Sequence, residues 1–181
     1  MTLLTGPRLA LAASLMLAAG CVAGDPGARS RPVPEPAKPV SLERYMGRWH
    51  ELARYDNSFQ TGCDGVTADY ALRPDGRVSV VNACRTGGPQ GPRRVATATA
   101  RLVPGAPGNR LKVSFFPPFE GDYWVLDRAD DYSWAIVGEP SGRYLWILSR
   151  RADVPERVYR QLVGRAAGLG YDVSRLRRTQ P

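Results

Sequence analysis

The sequence predicts an all-β domain: an eight-stranded up-and-down antiparallel β-barrel with one C-terminal α-helix packed against its outside. Two observations lead to this prediction. From Leu42 onward, short β-rich runs alternate with turn signals, and after Arg150 the apolar residues change from the period of a strand to that of a helix. Eight up-and-down strands can close into a barrel whose interior holds one small ligand.

The eight predicted strands cover residues 47–55, 66–72, 77–84, 94–102, 110–116, 123–126, 132–137 and 144–149. Tight turns separate them, such as Arg73-Pro74-Asp75-Gly76, where Pro fixes φ and Gly supplies a positive φ. In an up-and-down barrel, alternate connections lie at the same end. The expected mouth is therefore framed by the loops 56–64, 86–91, 117–122 and 139–142.

The helix is predicted from the spacing of apolar residues after the eighth strand. Asp153 is expected to cap it, with Pro155 in its first turn. A single apolar stripe follows, formed by Val158, Leu162, Ala166 and Leu169. One such stripe indicates a helix that packs on the outside of the sheet.

The first 21 residues are interpreted as a lipoprotein signal peptide. One cation, Arg8, precedes an apolar stretch that is too short to span a bilayer as a helix. The end of this stretch resembles a bacterial lipobox, in which Cys21 would be acylated, although Ala18 stands where Leu is usual. An ordinary signal peptide cut elsewhere is the alternative.

Residues 22–40 are interpreted as an extended tether, because the stretch 25–39 contains five prolines and almost no apolar side chains. The barrel domain is then expected over 41–181. Val22 follows the cysteine, and no Asp stands there to suggest retention in the inner membrane. The expected location is the outer membrane of a Gram-negative cell, on its periplasmic face.

Two cysteines remain once Cys21 is assigned to acylation. Folding the chain at the Pro74-Asp75 turn brings Cys63 and Cys84 to roughly opposite positions, within reach of a disulfide. An exported protein lies in an oxidising compartment. The sequence therefore predicts a Cys63–Cys84 bridge, with two buried free thiols as the alternative.

Three short motifs resemble the signature of the lipocalin family. They are Gly47-Arg48-Trp49 at the start of the first strand, Asp131-Tyr132 before the seventh, and Arg150 after the eighth. The resemblance covers about residues 41–179 and is closest to the bacterial outer-membrane lipocalins and their apolipoprotein D-like relatives. His50 departs from the Tyr or Phe that is usual in the family.

The resemblance implies roles for particular residues. Gly47, Trp49, Asp131, Tyr132 and Arg150 would be structural, with Trp49 closing one end of the barrel and Arg150 stacked on it. Tyr70, Asn82 and Phe115 would face the cavity. Alternation along the strands adds Val80, Val113 and Trp146, and on the first strand Glu51, Ala53 and Tyr55. The alternative is that these side chains only fill the core.

The function favoured by these features is binding, storage or transport of a fatty acid or lysophospholipid, with no cofactor, no metal and no catalytic residues. Arg85 and Arg143 are candidates for contact with an anionic head group, and the Phe-rich segment 115–119 suits a lipid tail or a membrane surface. The partners expected are this ligand and the membrane, reached through the lipid anchor. The protein is expected to be a monomer or a weak homodimer.

Two other classes of function are weighed. An enzyme acting on a lipid or isoprenoid would have to work with one histidine, His50, which is expected at the closed end. A nucleic-acid-binding barrel would explain the net charge of +8 at pH 7. The arginines are scattered, however, and no strand face alternates basic and aromatic residues, so a solvated surface explains the charge better.

Overall fold

The computed structural model describes residues 35–36, 38–88 and 90–181. Nine strands form one antiparallel sheet in this part of the chain. They are β1 (Gly47–Tyr55), β2 (Cys63–Leu72), β3 (Val78–Thr86), β4 (Arg93–Leu102), β5 (Arg110–Phe116), β6 (Phe119–Arg128), β7 (Trp134–Gly138), β8 (Leu145–Ser149) and β9 (Leu176–Arg178). The α-helices are α1 (Leu42–Tyr45) and α2 (Glu156–Gly168).

The first eight strands pair in chain order, and β1 pairs with both β2 and β8, which closes the barrel. The predicted eight-stranded barrel is therefore confirmed. Strand β9 is an addition that pairs with the end of β1, at Ala53–Tyr55. No helix among the described residues is long and apolar enough to cross a membrane.

Strands β1 and β5 have the predicted bounds, whereas β6 begins four residues earlier than expected. Gly121 and Asp122 suggest a loop by composition. In the sheet, Gly121 lies opposite Val113, and Asp122 pairs with Lys112, with 2.7 Å between the carboxylate and the ammonium. The predicted loop 117–122 is reduced to the turn at Pro117-Pro118.

Strand β1 carries a bulge between Glu51 and Ala53. Glu51 lies inside the barrel as expected, but the extra residue moves Ala53 and Tyr55 to the outside, where both belong to the cluster under α2. The prediction that these two side chains face the interior is therefore wrong. Arg54 takes the inward position in their place and is buried.

Two apolar clusters hold the fold together. One fills the closed half of the barrel and includes Trp49, Tyr70, Val80 and Leu148. The other lies between the barrel wall and α2, where Leu162 and Ala166 are buried against strands β1, β7 and β8. All four residues of the predicted helical stripe belong to this second cluster.

The start of α2 differs from the prediction. The residue that precedes the helix is Pro155, and no side chain caps the first turn. Asp153 stands two residues before the N-cap position and makes no capping hydrogen bond, so its predicted capping role is wrong. Glu156 supplies the favourable negative charge in the first turn instead.

Cys63 and Cys84 form the predicted disulfide, with their Cα atoms 5.4 Å apart. The bridge joins the start of β2 to the end of β3 and packs with Val66 in a small buried cluster. It therefore fastens the β1–β2 loop to the sheet at the mouth of the barrel, as expected.

The last residues before the barrel lie against its closed end. Val40 is buried in the interior cluster, and its amide donates to the Pro107 carbonyl at 2.9 Å. The Asn109 side chain donates to the Lys38 carbonyl at 3.0 Å. The chain therefore enters the domain at the end opposite the mouth. Cys21 and the signal peptide lie outside the described residues.

Candidate ligand-binding site

The inner faces of four neighbouring strands change from buried to exposed toward the mouth. On β3, Val78 and Val80 are buried, and Asn82 is only half-buried. On β4, Ala100 is buried, Ala98 is half-buried, and Ala96 is exposed even though it lies opposite Asn82 on the inner face. The interior is therefore open to solvent along this side.

The same gradient continues on the next two strands. On β5, burial falls from Leu111 to Val113, and beyond a bulge between Val113 and Phe116 the side chains are exposed. On β6, Tyr123 is half-buried and Gly121 is exposed. The side chains that line this opening are mostly apolar, and four of them are no larger than a methyl group: Ala68, Ala96, Ala98 and Ala100. Small residues on a barrel wall leave room for a ligand.

The other half of the mouth is covered by the β1–β2 loop, residues 56–62. Gln60 of this loop accepts a hydrogen bond from Trp146 Nε1 at 2.8 Å and donates one to Glu51 Oε2 at 2.7 Å. Phe59 packs near Tyr144 and Trp146, with ring centroids 5.6 and 6.4 Å apart. Trp146 is thus part of a covered wall, and the open side lies opposite it.

A buried ion pair supports this covered half. Arg54 Nη1 lies 2.5 Å from Glu51 Oε1, and both side chains are almost fully buried. Arg54 also donates to the backbone carbonyls of Gln60 and Cys63, at 3.2 and 2.9 Å. Thr179, after β9, donates to the same Glu51 oxygen. The network offsets most of the cost of burying these two charges, and Arg54 Nε is the one buried donor of the pair without a partner among the described residues.

The closed end is built as the sequence predicts. Trp49 is fully buried, its Nε1 donates to the Tyr45 carbonyl at 2.8 Å, and the Arg150 guanidinium lies 3.8 Å from its ring centroid. Gly47 has a φ of 90°, and a Cβ there would lie 3.4 Å from Arg150 Nη1. Glycine at this position therefore satisfies both the backbone conformation and the close approach of the arginine.

Asp131 and Tyr132 organise the turn between β6 and β7 at the same end. Asp131 Oδ1 accepts from the Ser133 amide at 3.0 Å, and hydrogen bonding by the Ser133 side chain and amide lowers the pKa of the Asp131 carboxyl. The Tyr132 hydroxyl accepts from the Ser41 amide at 2.8 Å, which ties the start of α1 to the turn. Both residues therefore have structural contacts at the closed end.

Three tyrosine hydroxyls meet inside the barrel above Trp49. The Tyr123 oxygen lies 2.8 Å from that of Tyr45 and 3.0 Å from that of Tyr70. Burial raises the pKa of Tyr70 to about 12 and holds those of Tyr45 and Tyr123 well above their ordinary value. These phenols are neutral at physiological pH, so the bottom of the cavity is polar but uncharged.

Four of the predicted cavity residues, Tyr70, Val80, Asn82 and Val113, lie on one continuous inner surface, whereas Phe115 lies at a β5 bulge between Val113 and Phe116, so alternation does not assign it to that surface. Tyr70 lies opposite Val80, and Val113 lies opposite Ala100 in the neighbouring strand pair. Asn82 lies nearer the mouth, and Trp146 lies on the covered side. The buried Oδ1 of Asn82 has no hydrogen-bond partner within the described residues. Contact of these side chains with a ligand remains a prediction.

Sequence reasoning missed Arg94, an exposed cation on the inner face at the mouth. Its Nη2 donates to the Phe59 carbonyl and to Cys63 Sγ, both at 2.8 Å, and the side chain is exposed. The signal was present, because Arg94 is in phase with Ala96, Ala98 and Ala100. Arg85, one of the two cations predicted to meet a head group, follows the buried Cys84 in β3 and therefore lies on the opposite face of the strand. It donates to the Gly91 carbonyl.

Arg143, the other cation predicted for a head group, lies over the Tyr144 ring, with 5.6 Å from its Cζ to the centroid. His50 lies in the first half of β1, opposite Thr67 and Ser149. Within the described ranges, no group of three or more His, Cys, Asp or Glu side chains could hold a metal ion.

Comparison with known proteins gives concordant results. A family model described as a lipocalin-like domain matches residues 40–181. Temperature-induced lipocalin-1 of Arabidopsis thaliana is 42% identical over 154 residues, which cover 80% of this chain and 81% of that protein. Outer membrane lipoprotein Blc of Vibrio cholerae is 42% identical over 149 residues, covering 80% and 86%.

Among solved structures, insecticyanin from Manduca sexta superposes with a TM-score of 0.65 at 19% identity, over 81% of this chain and 83% of that one. This likeness concerns the fold. Together with the matching family model and the 42% identical relatives, the Trp49–Arg150 end and the eight-stranded meander lead to one conclusion: the chain belongs to the lipocalin family.

Proposed function

We propose that this protein binds one fatty acid or lysophospholipid in its barrel, for storage or transport at the outer membrane of a Gram-negative cell. The observation that carries the proposal is the burial gradient on β3–β6. It describes an apolar interior that is closed at Trp49 and open to solvent at one side of the mouth. A concave apolar surface with few polar groups is typical of a ligand site.

An acyl chain matches this interior better than a polar ligand does. The wall from Val80 to Val113 is hydrocarbon, and each buried CH₂ contributes about 0.8 kcal/mol. The polar groups at the bottom are neutral phenols that bond one another. Among the described residues, the cations that reach the interior are already engaged, since Arg54 pairs with Glu51 and Arg150 lies on the Trp49 ring and donates to backbone carbonyls, so neither is free to draw an anionic head group to the bottom.

The head group is better placed at the mouth. Arg94 is exposed on the inner face there. Its hydrogen bonds to Phe59 and Cys63 both come from Nη2, so the N–H groups of Nη1 and Nε can still donate to a ligand. A carboxylate or a phosphate would form a charge-assisted hydrogen bond with it. The ligand would then lie with its tail toward Tyr70 and its head beside Arg94.

The location is supported by the relatives and by the signal sequence. The matching proteins from Vibrio cholerae, Citrobacter freundii and Escherichia coli are named outer membrane lipoproteins. In this chain, Cys21 follows an apolar stretch and small residues, as an acylated cysteine would. We propose that the mature protein is acylated at Cys21 and faces the periplasm.

An enzymatic role is not favoured. His50 lies in the closed half of β1, on the face opposite that of the inward Trp49, and its pKa is lowered by burial and by Arg48. Among the described residues, Glu51 and Arg54 form a buried carboxylate–cation pair of the interior, and the carboxylate is engaged by Arg54, Gln60 and Thr179. Binding without chemistry is therefore the proposed activity.

Titration with a fluorescent fatty acid tests the proposal. Ala98→Trp would fill the half-buried inner wall of β4, so we expect its affinity to fall at least about tenfold, the equivalent of 1.4 kcal/mol. Val95→Trp is the matched control, because Val95 is exposed on the outer face of the same strand. Absence of saturable binding by the wild type, or unchanged affinity in Ala98→Trp, would refute the proposal.

The anchor has a separate test. Growth with radioactive palmitate should label the wild-type protein and leave the Cys21→Ser variant unlabelled. Label that persists in the variant would show that the acylated residue is not Cys21.

A further inference from the structure

Exposed apolar side chains are concentrated at the mouth of the barrel. Of the seven large apolar residues that are exposed in the described part of the chain, five belong to mouth loops or to strand ends beside them: Phe59, Val95, Phe115, Phe116 and Phe119. Phe116 and Phe119 are each 79% exposed. Contiguous exposed aromatics at one end of a protein indicate a surface that contacts an apolar phase.

The tip of the β5–β6 hairpin is suited to enter such a phase. Phe116 lies opposite Phe119 in the sheet, so the two rings flank the turn at Pro117-Pro118. The two prolines have no N–H group, and the Phe119 carbonyl accepts a hydrogen bond from Ser114 Oγ at 2.7 Å. Few free polar groups would therefore lose hydration if the tip left water, which keeps the cost of insertion low.

Uncompensated positive charge lies on the neighbouring mouth hairpin. Arg85 and Arg93 are directly opposite each other on β3 and β4, an arrangement that is unfavourable without an anion. Neither pairs with a carboxylate within the described ranges, and the same is true of Arg94 and Arg143.

Several acids near the mouth are already engaged. Asp64 pairs with Arg177, Glu120 pairs with Arg101, and Glu139 accepts from the amides of its own turn. The mouth therefore presents exposed aromatic rings beside arginines that have no carboxylate partner. A phospholipid surface offers the complement of both features, with phosphates above an acyl interior.

From these features we infer that the mouth of the barrel docks on a phospholipid bilayer, with the Phe116 and Phe119 rings in the acyl boundary and Arg85 and Arg93 at the phosphates. In this orientation the open side of β3–β6 faces the membrane. A lipid could then pass between bilayer and cavity without crossing water. Only this last consequence rests on the proposed ligand; the docking itself does not.

The attachment of the chain permits this orientation. Residues 38–40 lie against the closed end, so an anchor at Cys21 would have to reach past the barrel. The 14 residues from Cys21 to Glu35 can cover up to about 45 Å when extended. A nine-residue strand such as β1 is about 30 Å long, so the reach is sufficient.

Labelling of single cysteines tests the docking in the full-length acylated protein. A Phe119→Cys variant and a Leu72→Cys control each carry one thiol outside the disulfide and the anchor; Leu72 is an exposed apolar residue at the closed end. Each is labelled with an environment-sensitive fluorophore and reconstituted in vesicles of phosphatidylcholine and phosphatidylglycerol. We expect lipid-borne quenchers to quench the label at position 119 and not the one at 72. Equal quenching at both positions, or none at 119, would overturn the inference.

A second variant avoids any influence of the label. The double variant Phe116→Ser/Phe119→Ser should take up a fluorescent fatty acid from the vesicles about tenfold more slowly than the wild type. The amount bound at equilibrium should stay within about twofold of the wild-type amount. Leu72→Ser with Leu102→Ser is the matched control and should change neither quantity. Uptake by the double Phe variant at the wild-type rate would contradict docking through these rings. If the wild type binds no fatty acid, the proposed ligand fails, and the quenching result still decides the docking.

Discussion

The Arg150 side chain joins three separate segments of the chain at the closed end of the barrel. Its guanidinium lies on the Trp49 ring and donates to four backbone carbonyls, at 2.8–3.3 Å: those of Arg44, Tyr45, Arg48 and Tyr132. These carbonyls belong to α1, to the start of β1 and to the β6–β7 turn. One planar side chain thus fixes three segments that are distant in the sequence.

Arg150→Lys is expected to destabilise the protein although it preserves the charge. An ammonium has no planar fork, so it cannot contact three segments at once and would leave carbonyls without partners. We expect a loss of about 1–3 kcal/mol in the free energy of unfolding, measured in urea. Arg151→Lys is the control, because Arg151 follows Arg150 in the chain and its side chain is exposed. Equal stability of both variants would show that the fork is not needed.

The buried tyrosines predict a pH dependence. Burial raises the pKa of Tyr70 to about 12 from an ordinary value of 10.0, so the unfolded chain loses this proton first as the pH rises. The stabilising contribution is complete below pH 10 and is lost between about pH 10 and 12. In Tyr70→Phe, the free energy of unfolding should therefore fall less steeply in that range. The difference between variant and wild type should be constant from pH 7 to 9, and a constant difference at all pH values would contradict the raised pKa.

Among single residues, those defined by an alternating pattern could be predicted and those defined by a local irregularity could not. Tyr70, Val80 and Val113 lie on the inner face because their strands keep a period of two. Ala53 and Tyr55 do not, because the bulge after Glu51 inverts the faces of β1. No residue type in this segment marks the bulge, so only the tertiary pairing shows that Arg54 is the inward residue.

At the scale of elements, the Gln60 side chain links the β1–β2 loop to two strands of the barrel. Gln60 joins Trp146 on β8 and Glu51 on β1, and its backbone carbonyl accepts from Arg54. The loop also lies beside the disulfide at Cys63. The covered half of the mouth therefore depends on a polar network that is largely buried.

Gln60→Ala should loosen this loop without unfolding the barrel. It removes partners from Trp146 Nε1 and Glu51 Oε2, at a cost of about 1–3 kcal/mol. We expect faster amide hydrogen exchange in residues 57–62, with exchange in β4–β6 unchanged. Thr61→Ala is the control, since Thr61 is exposed and its hydroxyl bonds within the loop. Exchange in 57–62 that matches the wild type would show that Gln60 does not hold the loop.

The ninth strand illustrates what element prediction lacks. Leu176-Arg177-Arg178 has no apolar alternation, and nothing in the segment itself predicts a strand. It forms because β1 pairs with β2 only from Gly47 to His50, which leaves the later half of β1 with a free edge. Covering that edge satisfies backbone groups that would otherwise be unpaired. The eight barrel strands, in contrast, are predicted from their own composition and turns.

At the scale of the whole molecule, stability and binding occupy different parts of the barrel. The closed half and the contact with α2 hold the largest buried side chains, such as Trp49 and Ile136. The mouth half has alanines inside and phenylalanines outside. This division means that a ligand can add buried apolar contacts where the empty protein has few, and that binding should stabilise the native state alone.

Thermal unfolding with fatty acids of different length tests this coupling. A ligand that binds only the native barrel adds about 2.7 kcal/mol at a concentration of 100 times its Kd. For a domain of this size, that raises the Tm by roughly 5–10 °C. A chain with four fewer CH₂ groups should bind about 3 kcal/mol more weakly and at the same concentration should shift the Tm little.

The filled-wall variant gives the control for the same experiment. Ala98→Trp occupies the half-buried inner face of β4, so its Tm should respond to neither fatty acid, whereas Val95→Trp should respond like the wild type. If the long and the short fatty acid shift the wild-type Tm equally, the acyl chain is not what the barrel buries. If Ala98→Trp responds fully, the ligand binds outside the interior, because a tryptophan on that wall leaves an external site intact.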